Sequence, residues 1–294
     1  MNEIKLGIAP INWSNDDLPE LGKDISLETC LIEIREAGYQ GTEIGHKFPT
    51  DPLELKTLLD YFDLELASCW HSTFFSVKEE SNKQLETLKK RLEFLNILGA
   101  KQINLAECNR AIHNKTDVPL VNKPVLDKKE WDLFTSNLNK AGKICREHNI
   151  SLAYHHHMGT VVQNLNEIEQ LLKDTDPENV SLCFDSGHLL FAGIDPIWFL
   201  AKHFKRISHV HLKDIRSHVL KKNGHKISFL DAVLKGIFTV PGDGMIPFAT
   251  IFQELKQKHY KGWLIVEAEQ DPDIAPPFTY AKKAYSFIKP QIKS

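Results

Sequence analysis

The chain of 294 residues contains no C-x-x-C pair, and its five cysteines (Cys30, Cys69, Cys108, Cys145 and Cys183) stand singly. That pattern excludes a disulfide-stapled scaffold and a cysteine zinc knuckle. The expected place of the thiols is as small apolar side chains in a core. No apolar run reaches the roughly 18 residues that a membrane helix needs. The opening "MNEIKLGIAP" has no charged segment leading into an apolar one, so the expected location is the cytoplasm. No basic tract stands out and the net charge is −3, so neither nucleic acid nor a membrane is an expected partner. No Gly/Ser- or Pro-rich linker divides the chain, and residues 1–294 are read as one domain.

What is present is a rhythm. Hydrophobic residues make up 42% and charged residues 26%, enough for a sizeable core in a globular domain. Short apolar runs at 4–9, 41–45, 64–68, 102–107, 151–156, 180–185, 207–213 and 263–269 read as strands. Helical periodicity fills 26–37, 52–61, 82–98, 128–148, 165–173, 196–204, 248–259 and 277–288. Ser26 is placed to cap the first helix and Gly38 to stop it. Eight strand–helix units with near-continuous apolar strands predict a parallel α/β fold, most simply a closed (β/α)8 TIM barrel. A doubly wound open sheet is the alternative, weakened by the lack of G-x-G-x-x-G after the first strand. Two long connections, 108–127 and 214–247, fall on the side where barrel enzymes build their sites.

Titratable residues gather at the strand ends: Glu43, His71, Glu107, His155, His157, Asp185, His188, His209, His211, Lys213, Glu267 and Glu269. Unpaired charge is costly to bury, so such a recurrence points to one shared pocket rather than to separate core residues. The period of two along a strand puts His155 and His157 of "LAYHHHMGT" (152–160) on one face and His156 on the other. The same parity groups His209, His211 and Lys213, and separately Glu267 and Glu269. Carboxylates and imidazoles from neighbouring strands suit a mixed O/N site for a divalent transition metal such as Mn²⁺, Co²⁺, Fe²⁺ or Zn²⁺.

At these residues the chain resembles a known family. "CFDSGHL" (183–189), "HVHLKD" (209–214), "FTVPGDGMIPF" (238–248) and "GWLIVEAEQDP" (262–272) are similar to the xylose-isomerase-like barrel superfamily. With "GIAPINWSNDDLPELG" (7–22), "GYQGTEIG" (38–45), "INLAEC" (103–108), "YHHHMGT" (154–160) and "SFLDAVLKGIFTVPGDG" (228–244), the resemblance narrows to the inosose dehydratases of inositol catabolism and spans nearly the whole chain. It implies a xylose-isomerase-like TIM barrel and a metal-dependent hydro-lyase. The substrate would be a small cyclic polyol ketone, 2-keto-myo-inositol, losing water to a trihydroxycyclohexane-1,2-dione. It also implies Mn²⁺ or Co²⁺ as cofactor, brings in glutathione without any motif here that would bind it, and is compatible with a homo-oligomer.

The resemblance places metal ligands at Asp185, His211 and Glu267, with Glu269 the alternative to Glu267 on a different count. The first ligand departs from the family's glutamate: His155 stands there, with His157 two residues on. An imidazole in place of a carboxylate leaves the bound cation one unit more positive and a better Lewis acid. Proton transfer falls to His157, His188 or Lys213, the lysine as a base if its pKa is depressed and otherwise as a cation paired with Asp214 or another carboxylate, and His188 alternatively as a partner of a substrate hydroxyl. Glu43, His71 and Glu107 are expected to hydrogen-bond ring hydroxyls, Trp13 and Trp70 to form walls, and the "PGDG" turn (241–244) to close over the site. The rival within the superfamily is a sugar or inosose isomerase or epimerase working through the same metal-bound enediolate. A metal nuclease on this barrel would need a basic groove, which the net charge disfavours, and a non-catalytic sugar-binding barrel is the third class.

Overall fold

The computed structural model describes residues 4–223 and 226–293. Its principal strands are β1 (Ile4–Ile8), β2 (Gly41–Glu43), β3 (Glu65–Ser68), β4 (Trp70–Thr73), β5 (Gln102–Glu107), β6 (Ser151–His155), β7 (Ser181–Asp185) and β8 (Ile207–Leu212), followed by the short β9 (Asp214–Ile215) and β10 (Phe238–Thr239) and then β11 (Gly262–Val266). The helices are α1 (Leu27–Ala37), α2 (Pro52–Tyr61), α3 (Ser81–Leu98), α4 (Lys128–Glu147), α5 (Leu165–Asp174), α6 (Ser186–Phe191), α7 (Pro196–His203), α8 (Ser217–Asn223), α9 (Phe229–Leu234), α10 (Phe248–Gln257) and α11 (Pro277–Lys293).

The main sheet runs β3-β2-β1-β11-β8-β7-β6-β5-β4, every pair parallel. Its two ends, β3 and β4, are halves of one stave broken at Cys69, whose carbonyl accepts from Asn104 N at 2.9 Å. The sheet therefore closes on itself as a barrel of eight staves. The third strand differs most from the sequence expectation, being split and carried on to Thr73, and the second and last are shorter than expected. The last strand stops at Val266, so Glu267 and Glu269 sit on the chain just beyond it.

Local chemistry explains the helix bounds. Ser26 accepts from Thr29 N to start α1, and Gly38, at φ 102°, ends it in a left-handed conformation. Asp127 and Glu130 form a reciprocal capping box at α4, as Asn164 and Glu167 do at α5. The helices bury one stripe each. Leu31 and Ile34 of α1, Leu88, Leu92 and Leu95 of α3, and Ile251 and Leu255 of α10 share one core with the outward residues of the staves, among them Leu6, Leu66, Leu105 and Val210. Each such side chain contributes roughly 1.5–3 kcal/mol by leaving water. Among the described residues no helix is long and apolar enough to cross a membrane.

Inside the barrel, Ala9, Ala67 and Ile265 pack with Ile11 and Trp263. Small residues are required here. A Cβ on Gly7 would lie 2.7 Å from Ile265 Cδ1 and 2.9 Å from the Gly41 carbonyl oxygen. Below, Lys5 and Glu65 pair at 2.5 Å beside the Trp263 ring. This filled floor leaves the C-terminal mouth as the open end of the barrel.

The described residues of the long connection 214–247 form regular elements. They include α8, α9 and the antiparallel β9–β10 pair. Phe229, Leu230, Val233, Ile237 and Phe238 form with Phe191 and Met158 a second apolar cluster over one side of the mouth. The "PGDG" turn is pinned, not poised as a lid. Asp214 accepts from the backbone of Gly242 (3.2 Å), Gly244 (3.0 Å) and Ile246 (2.9 Å), and Arg216 holds Asp243 at 2.8 Å.

Candidate functional site

At the mouth, parity decides which side chains meet. His155 ends β6, Asp185 ends β7, His211 lies near the end of β8, and Glu267 follows β11. One ligand atom from each of these four buried residues lies within 4.8 Å of the others. His155 Nε2 is 3.2 Å from His211 Nδ1 and 3.6 Å from Asp185 Oδ2, which is 3.8 Å from His211 Nδ1. Nδ1 of His211 also abuts Glu267 Oε2, without hydrogen-bond geometry.

The second nitrogen of each imidazole is engaged elsewhere. His155 Nδ1 faces the His156 carbonyl at 2.8 Å, and His211 Nε2 faces Glu43 Oε1 at 3.2 Å. With its proton directed outward, neutral His155 turns the Nε2 lone pair inward; burial opposes charge on His211, but Cys183, Glu267 and Glu43 outweigh it and raise its pKa, so a cation held here would take the place of the proton on His211 Nδ1. Asp185 Oδ2 and Glu267 Oε2 are buried without a hydrogen-bond partner. Four donors at about 2.1 Å from a tetrahedral cation would stand about 3.4 Å apart, close to the 3.2, 3.6 and 3.8 Å that separate His155, Asp185 and His211. Two carboxylates and two imidazoles so arranged fit a divalent transition metal.

Electrostatics agree. Burial favours neutral Asp185, but Lys213, His188 and His155 outweigh it and hold its pKa well below the usual carboxylate range. Burial likewise opposes charge on Glu267, but His211 and Lys213 bring its pKa down to about 2. Burial lowers the pKa of His155 and so favours the neutral imidazole that a metal needs.

A second group adjoins the first. Lys213 Nζ donates to Glu269 Oε2 at 2.7 Å and to His188 Nε2 at 3.0 Å, and lies 3.6 Å from Asp185 and 3.5 Å from Glu267. His157 Nδ1 faces the Met158 carbonyl at 2.9 Å, which leaves Nε2 open, 3.9 Å from Glu269 Oε1. Phe229 roofs His157 and His188, its ring 4.7 and 5.5 Å from theirs.

Above both groups opens a cavity of about 240 Å³, lined in part by Glu43, Trp70, Asn104, His157, His211, Glu267 and Glu269. It is smaller than the roughly 300–1,000 Å³ of drug-sized pockets and suits a small polar metabolite.

The comparisons with known proteins follow this geometry. The family model described as "Xylose isomerase-like TIM barrel" matches residues 31–291. An inosose dehydratase of Bacillus cereus (strain AH820) is 50% identical over 292 residues, covering 98% of this chain and 97% of the relative. The chain belongs to the inosose dehydratase family. Among solved structures, an L-ribulose 3-epimerase superposes with a TM-score of 0.71 at 17% identity, covering 99% of this chain and 95% of the other. The IolI protein, solved with a zinc atom bound, superposes with a TM-score of 0.67 at 17% identity, covering 98% and 96%. Both show that this member of the inosose dehydratase family shares their barrel fold.

For this inosose dehydratase family member, several expected contacts need correction. Trp70 and Ser72 of β4 line the cavity, so His71 between them turns away from it; burial, then Arg91, lowers its pKa to about 4. Asn104 of β5 lines the cavity, so Glu107, three residues on, faces outward. Glu107 is occupied with Phe75 N, Ser76 N, Ser76 Oγ and Thr73 Oγ1, fixing the chain after β4. Trp13 is no wall: its indole donates to Glu33 at 2.5 Å and its ring belongs to the outer core. Lys213 is not a depressed base. Burial opposes its charge, but Asp185, Glu267 and Glu269 outweigh it and raise the pKa.

Among the polar cavity residues that escaped the sequence reading are Asn104, Asp17 and His113. Asn104 donates to Glu43 Oε1 (3.2 Å) and Ser68 Oγ (2.9 Å); a polar residue amid "QINLAE" was its signal. Asp17 lies in the loop after β1, its backbone N–H held by Asn15 Oδ1 at 2.8 Å. Burial raises its pKa to about 6, with Glu269 and Asp16 adding to the rise and His157 opposing it. Its only signal was the acidic pair in "SNDDLPE", outside any strand.

Proposed function

We propose that this chain is a metal-dependent hydro-lyase that removes water from 2-keto-myo-inositol to give the trihydroxycyclohexane-1,2-dione. The observation that carries the reading is the buried set His155, Asp185, His211 and Glu267, with two carboxylate oxygens lacking a hydrogen-bond partner, beside a small cavity that His211 and Glu267 line. The relative's printed name supplies the substrate class. These four residues would hold Mn²⁺ or Co²⁺, and the proposed location is the cytoplasm. A cation bound there supplies Lewis acidity for a ketone oxygen.

The residues around it divide the remaining work. The reaction must take a proton from the carbon next to the ketone and deliver one to the departing hydroxyl. His157 offers an open Nε2 to the cavity and is assigned the carbon-bound proton. Asp17 keeps its own proton up to about pH 6 and is assigned the departing hydroxyl. Lys213 stays an ammonium and stabilises negative charge as it develops; His188, neutral through burial and the lysine's charge, accepts from Nζ and fixes its position. Glu43 and Asn104 present acceptor and donor atoms to ring hydroxyls, and Trp70 covers a ring face.

The test is direct. Purified protein, stripped of metal and resupplied with Mn²⁺ or Co²⁺, is incubated with 2-keto-myo-inositol while dione absorbance is followed. Growth of the band that chelator abolishes is the expected result. Epimer formation without loss of water would assign the site to the isomerase reaction instead.

A further inference from the structure

His157, His188 and Glu269 form a second buried set whose ligand atoms lie within 4.8 Å of one another. Two imidazoles and one carboxylate are a known donor set for divalent transition metals. His157 and His188 have ring centroids 4.2 Å apart, and His188 Nδ1 is buried without a partner. Asp185 Oδ2 lies 3.9 Å from His188 Nε2, so the same carboxylate oxygen borders both sets. Ions in two-metal sites stand about 3.5–4 Å apart, and the two sets here share an edge suited to such a pair.

An ammonium already stands in the second set. Lys213 Nζ is 2.7 Å from Glu269 Oε2, 3.0 Å from His188 Nε2 and 3.6 Å from Asp185 Oδ2. On its remaining side the Phe238 ring lies 5.5 Å away. The lysine stem is accommodated by a missing side chain: a Cβ on Gly187 would come within 2.5–2.8 Å of Cβ, Cγ and Cδ of Lys213. The chain thus holds this cation in one place, with donors aimed at the atoms that would ligate a metal.

We propose that Lys213 Nζ occupies a latent second divalent-cation site formed by His157, His188 and Glu269, so that the barrel binds one metal ion and carries its second positive centre as a side chain. The inference rests on the first site being a metal site. A tethered ammonium gives permanent positive charge beside Asp185 without depending on a second ion. It also leaves His157 Nε2 unligated and able to take a proton.

The experiment counts Mn²⁺ per chain in metal-stripped protein after equilibrium dialysis, with electron paramagnetic resonance to detect coupled ion pairs. Wild type is expected to bind one ion with an uncoupled spectrum. K213A, which vacates the position, is expected to bind two, with coupling between them; K213S is the second variant should K213A not fold. K213A/E269Q is expected to return to one ion. Retention of the first ion shows that a variant is folded. One ion in a folded K213A or K213S, or two in wild type, overturns the proposal while leaving the first site standing. No ion in folded wild type overturns the first site and this inference with it.

Discussion

Glu43 Oε1 stands 3.2 Å from Nε2 of His211 and 2.8 Å from Nε2 of His209, so one carboxylate on β2 orients two imidazoles on β8 across the barrel mouth. It fixes the tautomer that turns His211 Nδ1 toward Asp185 and Glu267. Glu43→Gln keeps the shape but weakens that orientation, and metal affinity should fall by about 10–100-fold, the usual cost of losing such a partner. Titration of the stripped variant with Mn²⁺ checks it. An unchanged affinity would show that Glu43 serves substrate alone.

Asp185 has two tasks on two oxygens. Oδ1 accepts from His188 N at 2.8 Å and caps α6, whereas Oδ2 is the unpartnered oxygen in the metal set. Asp185→Asn preserves an acceptor for the cap and removes the anion. Turnover should fall by at least about 10³-fold, the order of a lost electrostatic anchor, while far-UV circular dichroism stays that of the wild type. Full turnover in a folded variant would remove Asp185 from the metal set.

The barrel was legible because strands and helices recur with fixed periods, whereas the residues proposed as metal ligands came from the family resemblance, parity alone leaving Glu267 and Glu269 unseparated. Alternation along a strand groups His155 with His157 and His209 with His211; the second pair meets on Glu43, whereas His155 and His157 fall into two adjoining sets. The same rule, applied within "WHST" and "QINLAE", would have turned His71 and Glu107 away from the mouth once Trp70 and Asn104 were taken as inward. Proximity to a strand end misled where parity would not have. Asp17 and His113 were out of reach for another reason: they come from loops, where position depends on turns such as the Asn15 hydrogen bonds rather than on any repeat. Lys213 could not be decided between base and paired cation because its charge state depends on three carboxylates from two other segments, Asp185, Glu267 and Glu269.

Gly7 tests the packing beneath the site. An added methyl meets Ile265 Cδ1, which can turn aside, and the Gly41 carbonyl oxygen, which cannot. Gly7→Ala should cost about 1–3 kcal/mol, the range for overpacking a core. The matching fall in Tm, about 2–4 °C per kcal/mol for a large domain, is read by thermal unfolding at fixed metal concentration. Adding Ile265→Val, which removes Cδ1, should restore part of the loss. No loss in the single variant would mean that the barrel floor is loosely packed.

Asp17 makes a prediction in which activity and stability move oppositely. Its carboxyl is raised to about 6 by burial, by Glu269 and by Asp16, against the pull of His157; His113 Nε2 also lies 3.7 Å from Oδ1. A carboxyl raised in the folded state is neutral there while its unfolded counterpart ionises, so its contribution is favourable at low pH. Stability is then lost as pH climbs from about 4 to about 6 and stays lost above that range. Asp17→Asn removes the ionisation. Thermal unfolding should match wild type near pH 4 and show the variant more stable at pH 8, by about 1 kcal/mol once water at this partly exposed side chain is counted. Turnover should fall about 10²–10⁴-fold, as for loss of a general acid, and the fall in wild-type rate as pH rises through about 6 should disappear from the variant. A variant that gains stability at pH 8 but keeps both the rate and its pH profile would leave Asp17 a buried carboxyl of the rim and return the proton of the departing hydroxyl to another group.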